Sequence, residues 1–159
     1  MSTLISLDPA LNVKNIGCCV WQSLLPEHLD ILHPEANGLD IYQYFERYVI
    51  SLHPDKAFVE GTVYMGSKSQ NQTYVKLTTT VAVLKERYGD LIELVDPQSW
   101  KRAICGCNKK PGKKIIKQHL ISRGFKVTRE FMRSWKQHDL DAIGMLFYKM
   151  DIMKREGIL

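Results

Sequence analysis

Three short stretches carry the residues of this chain best suited to chemistry. The first is Leu4-Ile5-Ser6-Leu7-Asp8-Pro9, an apolar run ending in a carboxylate, followed by a turn and a second apolar run from Ile16 to Trp21. Apolar runs bounded by Pro and Asn read as β-strands, so Asp8 is expected at a strand end, held by rigid scaffold rather than by loop. The second is Ala57-Phe58-Val59-Glu60-Gly61, part of a strand pattern over residues 57–64. The third is His138-Asp139-Leu140-Asp141, which opens the most apolar helical stretch of the chain. An i, i+3 spacing puts His138 and Asp141 on one helix face and turns Asp139 elsewhere. A few acids brought together from separate elements suit hard divalent ions such as magnesium, and a histidine among them leans towards manganese tolerance. Taken singly, each acid also has a structural explanation: Asp8-Pro9 can open a turn, Glu60 can sit on an exposed edge, and Asp139 or Asp141 can cap a helix. Their order along the chain, with a lysine cluster between them, is what points to a site.

The elements that must position these residues follow from periodicity. After the hairpin, residues 23–38 form a polar connection punctuated by Pro26, Pro34 and Gly38, with room for a third strand or a helical turn. Ile41, Tyr44, Phe45, Tyr48 and Val49 form the stripe of an amphipathic helix over residues 39–52, ended by His53-Pro54. Tyr74, Leu77, Val81, Leu84 and Tyr88 predict a helix over residues 71–88, with Gly89 at its C-terminal cap. Its run Thr78-Thr79-Thr80 has strand-like propensity, while Val75, Ala82 and Val83 widen the apolar surface to a second face, as for a helix buried on both sides. Leu91-Ile92-Glu93-Leu94-Val95 reads as a further buried strand, so that strand, helix and strand make a parallel βαβ unit. Beyond it come Trp100 to Ile104, a loop over 105–112 carrying Lys109 and Lys110, and a helix from Lys113 to about Arg123 with Lys114 and Lys117. A lysine-rich loop at a helix start can hold phosphate by charge and by backbone N–H groups, or can be a solvated surface run. A last helix over 138–156 is expected to pack beneath Asp8.

Bulk properties set the frame. A chain of 159 residues with 45% hydrophobic and 25% charged residues suits one globular domain, residues 1–159, with one core. The formal charge of +5 favours an anionic partner, nucleic acid or a membrane surface. Asp8 and Pro9 interrupt any signal-peptide core, and no stretch approaches the ~18 apolar residues of a membrane-crossing helix, so a cytoplasmic protein without membrane association is expected. Cys18, Cys19, Cys105 and Cys107 are spaced for neither a disulfide framework nor paired zinc knuckles, and read as reduced thiols.

With Ile5-Ser6-Leu7-Asp8-Pro9 and Gly17, Val59-Glu60 and Tyr64, Trp100-Lys101 through Lys113, and His138-Asp139-Leu140-Asp141-Ala142-Ile143 in this order, the chain resembles the RuvC-type Holliday-junction resolvases of the ribonuclease H-like nuclease superfamily. The resemblance implies an α/β fold, a ribonuclease H-like mixed five-stranded sheet flanked by helices, and a homodimer built on the helix after the glutamate strand. It implies resolution of four-way and other branched DNA junctions by paired nicks. Catalytic and metal-binding positions fall on Asp8, Glu60, His138 and Asp141, with two Mg2+ or Mn2+ ions per site. Phosphate-contacting positions fall on Lys101, Lys113 and Lys114, with Lys109, Lys110 and Lys117 on the same DNA face and an aromatic wedge at Tyr64. Ala10 stands where the family usually has glycine, and His138 where many members carry aspartate. If the chain is phage-encoded, the host cytoplasm is where it acts. The competing expectations are a ribonuclease H-like nuclease acting on flaps or RNA–DNA hybrids as a monomer, and a non-catalytic DNA-binding protein that retains the fold.

Overall fold

The computed structural model describes residues 2–61 and 72–159. Its centre is a five-stranded sheet in the order β3-β2-β1-β4-β5. β1 (Thr3–Asp8) and β2 (Gly17–Gln22) form the expected hairpin, antiparallel with Leu7 opposite Cys18 and Asp8 opposite Gly17. The 23–38 connection contributes β3, only Asp30–Ile31, antiparallel to β2. β4 (Lys56–Glu60) and β5 (Ile92–Val95) continue the sheet on the other side of β1, both parallel. β4 was expected to run to residue 64; its strand ends at Glu60, and residues 62–64 lie outside the described residues.

The expected helix over 39–52 begins as α1 (Ile41–Tyr44) with a capping box, in which Gln43 N–H donates to the Asp40 carboxylate and Asp40 N–H to the Gln43 side chain. It then widens into a π-helical turn over Phe45–Val49 and tightens to a 3-10 turn over Ile50–Leu52. α2 (Gln72–Tyr88) tolerates its threonines because the Thr78 and Thr80 hydroxyls donate to the Tyr74 and Lys76 carbonyls one turn back. α3 (Pro97–Cys105) starts with Asp96 capping Ser99 N–H and proline in the first turn, where its missing N–H costs nothing. α4 (Lys113–Ser122), the short α5 (Arg129–Arg133) and α6 (Gln137–Arg155) complete the chain.

Two of the sequence expectations change. The single core becomes two, because a sheet covered on both faces has an apolar layer on each. One joins Leu4, Cys19, Trp21 and Phe58 to α3, α4 and α6; the other joins Ile5, Leu7, Val20 and Val59 to the 41–52 segment and α2. β5, expected to be fully buried, is an edge strand: Ile92 and Val95 are buried, Glu93 is half-buried, and Leu94 is 40% exposed. The helical stripe of α6 behaves as read. From Leu140 to Phe147 every residue is buried, and the Ser6 hydroxyl of β1 donates to Ala142 O at 2.5 Å, tying the helix to the central strand.

Candidate active site

Parallel pairing of β1 with β4 matches Leu7 with Val59, so that Asp8 and Glu60, one residue further along each, leave the sheet together at its carboxyl edge. In open α/β sheets this edge is where ligands bind. The first turns of α6 reach the same edge because residue 17 is glycine. A Cβ built there would come within 1.9 Å of the His138 carbonyl oxygen, so only a bare Cα lets the helix start lie against β2. His138 thereby reaches Asp8, with Nδ1 at 2.7 Å from Oδ2. Asp139 turns to the opposite side, as the helical spacing requires, and accepts from Lys136 N–H and His33 Nε2. Asp141 is 5% exposed and accepts from the Gln137 amide at 2.9 Å. Glu60 accepts from Trp100 Nε1 at 2.9 Å.

The acids act on one another. Burial pushes the Glu60 carboxyl up to about 7; Asp8 and Asp141 push the same way, and the Trp100 N–H and Lys101 oppose them. Burial likewise raises Asp141, with Asp8 adding to it against the Gln137 hydrogen bond and the charges of Lys110 and Lys101. His138 is raised, chiefly by its hydrogen bond to Asp8. Asp8 and Glu60 line a cavity of about 350 Å³ together with Leu77, Val81, Ala82 and Leu94.

Among the described residues, no three ligating side chains enclose a common point as metal ligands do. His138 is turned onto Asp8, Glu60 onto Trp100 and Asp141 onto Gln137. The donor set nonetheless fits a hard divalent ion. Carboxylate oxygens and an imidazole meet at one sheet edge, and the raised Glu60 and Asp141 mark an excess of negative charge that a cation relieves.

The lysines divide. Lys101 and Lys110 lie close enough to oppose the acids electrostatically, Lys101 with its ammonium 5.7 Å from the Trp100 ring centroid. Lys113 turns away and donates to Met132 O at 3.3 Å, while Lys109, Lys114 and Lys117 are exposed. Tyr64 lies outside the described residues. Sequence reasoning assigned no role to Trp100, Gln137 or His33. Gln137 stands four residues before Asp141, a helical spacing that carries the signal. Trp100 is 40 residues from Glu60 and His33 is 106 from Asp139, separations at which local patterns are silent.

A mixed five-stranded sheet of this order, flanked by helices, is a ribonuclease H-like fold. Within that class the fold is that of RuvC. Thermus thermophilus RuvC in complex with a Holliday junction substrate aligns over 99% of this chain and 98% of its own, with a TM-score of 0.59 and 15% identity. A second T. thermophilus RuvC structure covers 98% of this chain and 97% of its own, with a TM-score of 0.54 and 13% identity. No protein-family model and no curated protein sequence matches the chain.

Proposed function

We propose that this protein is a metal-dependent endonuclease that resolves four-way DNA junctions by paired nicks, as a homodimer. The observation that carries this reading is the convergence of Asp8, Glu60, His138 and Asp141 at one edge of a RuvC-type sheet, carboxylates held together against their own repulsion. Asp8, Glu60, His138 and Asp141 would hold two Mg2+ or Mn2+ ions, which when bound supply positive charge to an attacking water and to the departing 3′ oxygen. The chain itself supplies the rest. Trp100 and Gln137 fix the orientation of Glu60 and Asp141 through neutral donors that leave their charge available. His138, with Nδ1 engaged by Asp8, keeps Nε2 for an ion or for the water. Lys101 and Lys110 flank the acids and would hold the phosphates on either side of the cut, with Lys109, Lys113, Lys114, Lys117 and Tyr64 extending the DNA face.

The second apolar face of α2 supports the dimer: Val75 is 44% exposed on the helix, and Leu94 is 40% exposed on the edge strand of the same layer. Val75→Asp should convert the dimer to a monomer in light scattering at micromolar concentration; a wild-type monomer under those conditions would remove the basis for paired cuts. The activity test is incubation with a synthetic four-way junction and Mg2+ or Mn2+, beside flap and RNA–DNA hybrid substrates. Symmetric nicks in the junction support the proposal, and cleavage confined to flaps or hybrids contradicts it.

A further inference from the structure

A second cavity, of about 420 Å³, lies on the other flank of the α6 start, against the 13–16 turn of the β1–β2 hairpin. Its floor is apolar, from Val13, Ile16 and Leu32, and Tyr44 lines it too. Its polar lining is Lys14, His33, Ser134 and Lys136. Both lysines are exposed, and neither makes an ion pair among the described residues. Asp139, which touches this lining, is 2% exposed and already engaged by Lys136 N–H and by His33. A carboxylate only accepts, so His33 Nε2 carries the proton of that bond. Tyr44 belongs to the wall rather than to the donors, since its hydroxyl is fully buried against the Cys18 thiol. The cavity is within the size range of small-ligand sites and combines an apolar floor with a few convergent donors. Its uncompensated charge is positive.

We propose that this cavity is a phosphoryl-binding site, and that the phosphoryl group comes from the backbone of the DNA strand lying across the α6 start. This rests on the nuclease reading, since that strand would place one phosphate at Asp8 and His138 and a neighbouring one between Lys14 and Lys136. Asp139 joins the two places. It follows His138 directly in the chain and holds His33 in the cavity wall, so an occupant that orders His33 also braces the helix start that delivers His138 to Asp8.

The test uses the full chain carrying Asp8→Asn, without divalent metal, so that binding is read apart from cleavage. Junction affinity is measured against salt for this protein and for the same protein with Lys14→Ala and Lys136→Ala. A slope of log affinity against log salt that falls by about 0.9 for each phosphate no longer neutralised supports the site with DNA as its source. A matched control removes Lys154 and Arg155, exposed cations at the far end of α6 that make no ion pair among the described residues; an equal fall there would mean bulk charge and overturn the assignment. In a second arm, inorganic phosphate and a 5′-deoxynucleotide are titrated while backbone amide resonances are followed. Saturable shifts at Lys14, His33 and Lys136 that vanish in the double variant, with an unchanged junction slope, support the site with a free phosphate ester as its source. An unchanged slope with no saturable shift overturns the proposal. Neither result depends on whether the wild type cuts junctions, so failure here and failure of the nuclease reading are separately visible.

Discussion

α6 carries acids near both ends, and the two ends treat them in opposite ways. Near its C-terminus, Asp151 receives the Arg123 guanidinium from α4 in a two-pronged pair, with Nη2 at 2.9 Å from Oδ2, and Lys149 reaches Glu93 on β5. Asp151 is held below the usual carboxylate range, chiefly by its hydrogen bonds from Arg123. Near its N-terminus, Asp141 is buried and feels the like charge of Asp8, Glu60 is buried and feels that of both Asp8 and Asp141, and Asp141 and Glu60 are each held above that range. One end uses charge to fasten helix to helix and helix to sheet. The other concentrates charge at a cost to the fold, the arrangement on which the proposed function rests.

The largest separation of the two ends comes from Glu60→Gln. Cleavage should fall by about 10³-fold or more, since a metal-binding charge is lost. The metal-free protein should become more stable. The folded Glu60 carboxyl, raised from 4.5 to about 7, binds a proton that the unfolded one releases, so its contribution is intact below about 4.5 and is lost as pH rises to about 7. At ~1.4 kcal/mol per pH unit, this amounts to on the order of 3 kcal/mol at pH 8. Urea unfolding in chelator across this range should show wild-type stability falling more steeply with pH than that of the variant, in which Asp141 and His138 still titrate; parallel curves would mean that the Glu60 carboxyl is not raised.

Gly17→Ala probes the approach that brings the acids together. With 1.9 Å between the new Cβ and a backbone oxygen, strand and helix start must part, at about 1–3 kcal/mol or more. Cleavage should fall as well, because His138 moves off Asp8. A variant as stable and as active as the wild type would contradict the packing of α6 on β2.

The smallest effect belongs to the paired end. Arg123→Ala should leave cleavage unchanged and cost about 1 kcal/mol or less through the ion pair, since the Asp151 side chain is 43% exposed, plus the packing of the guanidinium 4.6 Å from the Phe147 centroid. The depressed Asp151 contributes stability that is present above about 3.8 and is lost as pH falls through its folded value. The Arg123→Ala penalty, followed by urea unfolding, should therefore shrink below about pH 4. A penalty that grows on acidification would reverse this assignment.

The same contrast explains what was legible in the sequence. The strand ending at Asp8, the strand carrying Glu60, the βαβ unit and the buried face of α6 rest on local periodicity, and the i, i+3 rule separated Asp141 from Asp139. β3 was undecided because two residues carry no period. The edge position of β5 was hidden because an apolar run says nothing of its neighbours in the sheet. The hydrogen bonds from Trp100 to Glu60 and from His33 to Asp139 arise from tertiary approach, as does the pairing of Arg123 with Asp151, whereas the bond from Gln137 to Asp141 is a helical i, i+4 contact. Gly17 was visible as a hairpin glycine, but its reason, the carbonyl of a residue 121 positions later, was not.

The most direct measurement compares wild type and Asp8→Asn on a synthetic four-way junction, by gel shift and by nicking, in Mg2+ and in Mn2+. Asn keeps the shape of Asp and removes the charge that a metal requires and a phosphate repels. The account predicts that Asp8→Asn binds the junction as tightly as the wild type or more tightly and makes no cuts, while the wild type makes two symmetric ones. Continued cleavage by Asp8→Asn, or a wild type that binds the junction and leaves it intact with both metals, would contradict it.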